Sequence, residues 1–148
     1  MNKLIPVLVV ILSLCIFSST SVSREDILKK PEWKKIYDEF TFESSLIESI
    51  KEKSGNFSQI DIYFGYWCGD SENNVPGFIK ILDQLALNDL KVNYYSLGRK
   101  KSGEKYFVKN FKIEKVPTFI FYSENKETGR IIENPKESLL TDFLEIVF

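Results

Sequence analysis

Histidine is missing altogether from the 148 residues, and with it go the commonest metal ligand and the usual general base near neutral pH. Metal-dependent hydrolysis and Cys-His protease chemistry lose their main ingredients, and neither a metal site nor a cofactor is expected. An excess of one charge is lacking too. Twenty Lys and Arg nearly balance 21 Asp and Glu, for a net charge of −1, so no long-range field draws the chain to nucleic acid or an anionic membrane. Cysteine is scarce, with two residues in all. What is present is a globular mix, 43% hydrophobic and 28% charged, of a length that suits one domain around one core.

No apolar run reaches the roughly 20 residues that a membrane-spanning helix needs. The opening "MNKLIPVLVVILSLCIFSSTSVSRED" has Lys3, an uncharged apolar run from Leu4 to Phe17, and Ser21 and Ser23 spaced as at a signal-peptidase site. Residues 1–23 therefore read as a cleaved signal peptide, and the mature protein as exported, periplasmic or secreted, with no stable membrane insertion after cleavage. A lipoprotein is the lesser alternative, because Leu14 rather than a small residue precedes Cys15. Cleavage takes Cys15 away and leaves Cys68 as the lone thiol, so an intramolecular disulfide is excluded.

Residues 24–42 form an N-terminal extension in which Trp33, Ile36, Tyr37 and Phe40 fall at helical spacing, with a short strand near Phe40–Phe42 left open. A domain over 43–148 follows. Leu46, Ile47 and Ile50 mark a helix over Glu43–Lys53, and "QIDIYFGY" reads as a strand buried on both faces. Phe78, Ile79, Leu82 and Leu85 line a second helix that stops at Asn88–Asp89, and "KVNYYSL" is a strand. Tyr106, Phe107 and Phe111 suggest a short helix. "VPTFIFY" and "GRIIEN" are two strands joined by the polar turn "SENKETG", and Leu139, Leu140, Phe143 and Val147 mark a closing helix. The order calls for an α/β fold, a mixed sheet with helices on both faces.

The segment "YFGYWCGDSENNVP" runs from a strand through Trp67 and Cys68 into a helix. A cysteine at a helix N-terminus sees unpaired backbone N–H groups and the positive end of the helix dipole, which favour thiolate over thiol. Asp61, at the start of the strand, reads as a solvated residue.

"WCGDS" resembles the Trp-Cys-Gly-x-Cys signature of the thioredoxin family, with Pro76 where that family's long helix carries a kinking proline and "KVPT" at Lys115–Thr118 where it carries a cis-proline. The resemblance implies a thioredoxin-like three-layer α/β/α sandwich with a mixed central sheet. It also implies that Cys68 is the nucleophile, that Trp67, Gly69, Asp70, Val116, Pro117 and Thr118 form the substrate-binding surround, and that a cis peptide before Pro117 turns the Val116 backbone outward for an extended peptide or glutathione. Two positions depart from the family. Ser71 stands in the resolving position, where a hydroxyl cannot attack a mixed disulfide; its expected role is a hydrogen bond to the Cys68 sulfur. Ile62 occupies the place of the buried acid that many thioredoxins keep. Asp70 is read as helping to satisfy the helix N-terminus. Arg99, Lys100 and Lys101 read as a solvated loop, with the binding of an acidic partner or glutathione carboxylates as the alternative.

Two functions follow. The first is an exported monothiol thiol-disulfide exchanger acting through Cys68, with an external resolving thiol and with protein thiols or disulfides, or glutathione, as partners. The alternative is a redox-inactive thioredoxin-fold peptide-binding or chaperone-like module. A monomer is expected.

Overall fold

Alternating apolar residues and well-placed caps build each element of the chain, whose computed structural model describes residues 21–99 and 109–148. Most of the expected leader, Lys100 and Lys101, and the helix expected around Tyr106 and Phe107 lie outside the described residues. Helix α1 spans Arg24–Leu28, capped by the Ser23 side chain, and α2 spans Pro31–Glu39 with proline in its first turn. The strand left open near Phe40–Phe42 is not formed, and those residues carry the chain on to α3, Ser44–Glu52. Strand β1 (Gln59–Phe64), helix α4 (Gly69–Leu85), strands β2 (Lys91–Ser96), β3 (Thr118–Ser123) and β4 (Lys126–Ile132), and helix α5 (Leu139–Val147) complete the described order. Helix α4 ends earlier than Asn88, because Ala86 takes a left-handed conformation at its C-cap.

The sheet order is β2-β1-β3-β4, with β1 and β2 parallel and the other pairs antiparallel. The parallel pair needs a crossover, and α4 supplies it. The β3–β4 hairpin is tighter than expected. Only Glu124 and Asn125 connect the strands, at φ of 47° and 65°, and two consecutive left-handed residues match the twist of a hairpin. Polar residues 126–128, assigned to the turn from their composition, instead begin β4.

On one face of the sheet, Ile60, Ile62 and Phe64 of β1 meet Phe119 and Phe121 of β3 and the buried residues of all five described helices. Ile27 and Trp33 belong to this same cluster, fully buried or nearly so. Residues 24–42 therefore share one core with the rest of the chain. Their attachment is also polar: Arg24 and the Tyr37 hydroxyl both bond Asp83 of α4, the latter at 2.6 Å. Upstream, Val22 N–H donates to Tyr94 O at 3.0 Å and Ser21 bridges to Tyr95, which covers the outer edge of β2.

The opposite face gathers Tyr63, Leu97, Ile113, Val116 and Ile120 with the partly buried Cys68, Tyr95, Phe111 and Tyr122. Asp61 also lies on this face and corrects the sequence reading. It is buried, and its carboxylate accepts hydrogen bonds from Gln59 Nε2 at 2.8 Å and Asn93 Nδ2 at 2.7 Å. Both donors sit on the same pleat, Gln59 two residues back and Asn93 directly across in β2, so strand alternation makes burial of the charge affordable. Burial, with Asp61 and Glu127 adding to it, pushes the Tyr122 hydroxyl up to about 12.

Two predictions follow from this packing. Trp33→Ala removes a buried indole that packs tilted against the rings of Phe64 and Tyr66 and should cost about 3–5 kcal/mol of stability in chemical denaturation; a loss below about 1 kcal/mol would show that α2 is not part of the core. The raised Tyr122 hydroxyl stays protonated in the fold after the unfolded chain has begun to lose its proton near pH ~10. Its contribution is thus fully present below that pH and is lost as pH rises toward about 12. Stability should fall across that window, and less steeply in Tyr122→Phe.

Candidate functional site

The turn between β1 and α4 is held from several directions. Leu97 N–H donates to Phe64 O at 2.7 Å, and Cys68 N–H to Gly65 O at 3.0 Å. Ser71 is fully buried, and its Oγ accepts from Gly65 N–H at 3.2 Å. The expected hydrogen bond from Ser71 to the Cys68 sulfur is not formed among the described contacts. Side chains in a first helical turn lean back toward the N-terminus, and here that direction meets a buried backbone donor that needs an acceptor. Ser71 therefore fixes the turn instead of touching the sulfur.

Cys68 is the N-cap residue of α4, with an extended backbone (φ −104°, ψ 121°) and a carbonyl that accepts from Glu72 N–H at 3.0 Å. It is half-buried, and its thiol is not in a disulfide. The Sγ donates to Val116 O at 3.1 Å. The Val116–Pro117 peptide is cis. Val116, Pro117 and Thr118 are all buried, so any contact they make with a ligand runs through backbone rather than side chain. The Val116 carbonyl is turned to the sulfur, which places this backbone beside Cys68. Thr118 Oγ1 donates to Lys115 O at 2.7 Å, and Pro117 O accepts from Glu133 N–H at 2.7 Å. These bonds lock the segment to the loop after β4.

Trp67 borders the thiol and is 37% exposed. Its Nε1 donates to Leu97 O at 2.9 Å. A Cβ at Gly65 would come within 2.7 Å of the indole, so only glycine lets the ring lie back over the turn. Above the ring stands Arg99, its guanidinium carbon 5.2 Å from the centroid. Gly69 is exposed, and a Cβ there would meet nothing within 4 Å. Asp70 lies in the first turn of α4, where a negative charge favours the helix N-terminus, and its Oδ1 accepts from Asn134 Nδ2 at 3.3 Å.

Asn74 was not legible as a site residue. Its amide donates to Asp70 O at 3.0 Å, Glu133 O at 3.2 Å and Asn134 Oδ1 at 3.0 Å, and so joins the first turns of α4 to the loop that holds Pro117. The available signal was its spacing, one helical turn after Asp70 on the same face. No group of His, Cys, Asp or Glu residues among those described is arranged to hold a metal ion, and no described helix is long and apolar enough to cross a membrane.

Gly65→Ala should drive the indole out of its seat and break the bond to Leu97, because overpacking at this distance forces the ring to move. A red shift in tryptophan emission, absent from Gly69→Ala, is the expected result; unchanged emission would mean that the ring is not held as described.

The thioredoxin family profile matches residues 18–140. A crystal structure of a Pseudomonas aeruginosa protein of unknown function is 14% identical, with a TM-score of 0.65 over 88% of this chain and 94% of that one, and shows the same fold. Thioredoxins of Aeropyrum pernix (15% identical, TM-score 0.40, 58% of this chain and 70% of that one) and of Arabidopsis thaliana in the oxidized state (16%, 0.43, 70% and 89%) also align. No curated protein matches the sequence.

Proposed function

The chain belongs to the thioredoxin family, and we propose that it performs monothiol thiol-disulfide exchange through Cys68. The Cys68 thiolate attacks one sulfur of a partner disulfide; a new Cys68–S bond forms, the partner's S–S bond breaks, and the other partner sulfur leaves as a thiolate. An external thiolate then attacks the mixed disulfide, expels the Cys68 thiolate and carries away the oxidised partner. No net electrons remain on the protein. Glutathione and protein thiols are the partner classes, and an exported setting is proposed on the composition of the amino-terminal segment.

The observation that carries this reading is the position of the sulfur. Cys68 caps the head of α4, half-buried rather than sealed, across 3.1 Å from the Val116 carbonyl. The position where a second thiol would resolve the intermediate holds a buried hydroxyl that is already bonded to Gly65.

Ser71→Cys tests it by supplying the missing resolver. In the wild-type protein, attack on a glutathionylated peptide should join Cys68 to one half, release the other half as thiolate, and leave a mixed disulfide that persists until thiol is added. In Ser71→Cys the mixed disulfide should collapse into a disulfide between Cys68 and the introduced thiol, with loss of both protein thiols and release of the attached half, so that glutathione and peptide both end as free thiols. Equal lifetimes in the two proteins would remove the monothiol account, and no adduct in either would remove the exchange activity.

A further inference from the structure

We infer that Arg99 makes the Cys68 site selective for disulfides that carry a carboxylate beside the sulfur on the Trp67 side. The inference rests on the exchange chemistry proposed above and adds a substrate class to it.

Of the three arginines, Arg24 is paired with Asp83. Arg130 forks onto Glu127 at 2.5 and 2.6 Å and also reaches the Phe111 carbonyl at 3.1 Å. Arg99 has no carboxylate partner among the described residues. Instead it is exposed, with its guanidinium carbon over the Trp67 ring, 5.2 Å from the centroid. The indole beneath it is a fixed platform: its N–H is bonded to Leu97 O, and its ring is backed against a glycine that leaves no room for a Cβ. An aromatic face attracts the cation's charge without accepting its N–H bonds in the plane of the guanidinium, and so leaves the fork that fits a carboxylate available. A cation with no carboxylate partner among the described residues, held over a seated ring next to the attacking residue, is therefore placed to take an anion with little loss of side-chain freedom.

On the helix side of Cys68 acidic groups predominate, since Lys115, a cation near Asp70, is itself paired with Glu133. Asp70 lies just past Cys68 with Glu72 beyond it, both in the first turn of α4. A carboxylate on the approaching disulfide is repelled there and drawn toward Arg99, so the pair of flanks orients the substrate as well as selecting it. Peptide and small-molecule disulfides with an acidic group near the sulfur meet the requirement; neutral and cationic disulfides do not. The reaction is unchanged in its balance: one substrate sulfur joins Cys68, the other departs as the carboxylate-bearing thiolate.

The test compares second-order rates of Cys68 with two chromogenic aromatic disulfides, one bearing a carboxylate on each ring and one a neutral dipyridyl disulfide, in wild-type protein and Arg99→Gln. The ratio of carboxylate to neutral rate should fall about three- to fivefold in the variant, the size expected of one exposed charge pair. The wild-type rate with the anionic probe should also drop more steeply with added salt than that of the variant. An unchanged ratio with equal salt dependence would overturn the role of Arg99 while leaving exchange intact. Failure of wild-type Cys68 to react with either probe would overturn both readings together.

Discussion

The contact between Cys68 Sγ and Val116 O, 3.1 Å long, joins the N-cap of a helix to the last bend before a strand, and the arrangement of the site depends on it. Neither partner reaches that position alone. The sulfur is held by the β1–α4 turn, which the buried Ser71 hydroxyl and the Gly65 carbonyl close from inside. The carbonyl is held by Thr118, Glu133 and Lys115, whose bonds fasten residues 115–118 to the loop after β4. Asn74 links the two halves. A side chain fixed by several independent bonds reaches a reactive geometry at little entropic cost, which is the general requirement for a preorganised nucleophile.

Behind the site, the sheet divides its burden between two unlike faces. The helix-covered face is aliphatic and aromatic without buried charge in β1, where Ile60, Ile62 and Phe64 are all fully buried. The face that carries Cys68 and Val116 is aromatic and polar, with Tyr63 stacked on Tyr95 at 4.9 Å and Asp61 satisfied by two amides. The described residues before Glu43 pack on the first face and pair with the outer edge of β2. Trp33 packs against Phe64, the last residue of β1, so the strand end from which the turn to Cys68 departs is braced from below by residues that precede the domain boundary drawn from the sequence.

Much of this could be read in the letters because it follows local rules. The strand at Gln59–Phe64, the helix from Gly69 and the closing helix each announce themselves by periodicity and caps, and the "WCGDS" and "KVPT" segments indicate which ends of the chain meet. The errors share a different cause. Asp61 looked solvated because its protection comes from Asn93, a partner in the neighbouring strand that the sequence places far away. Ser71 looked like a sulfur ligand because the motif offered a sulfur, whereas the backbone offered Gly65 N–H, a buried donor with a stronger claim. The hairpin was drawn too long because composition marks polar residues, not the left-handed φ of Glu124 and Asn125 that closes the turn. In each case the deciding contact is one that a local window does not contain.

The most direct test of the account is to expose the purified protein to oxidised glutathione and follow intact mass, with peptide mapping of the product. A single glutathione on Cys68, stable until a second thiol is added, is the result the structure leads us to expect. A protein that remains unmodified while its fold is intact would contradict the claim that this sulfur is presented for exchange.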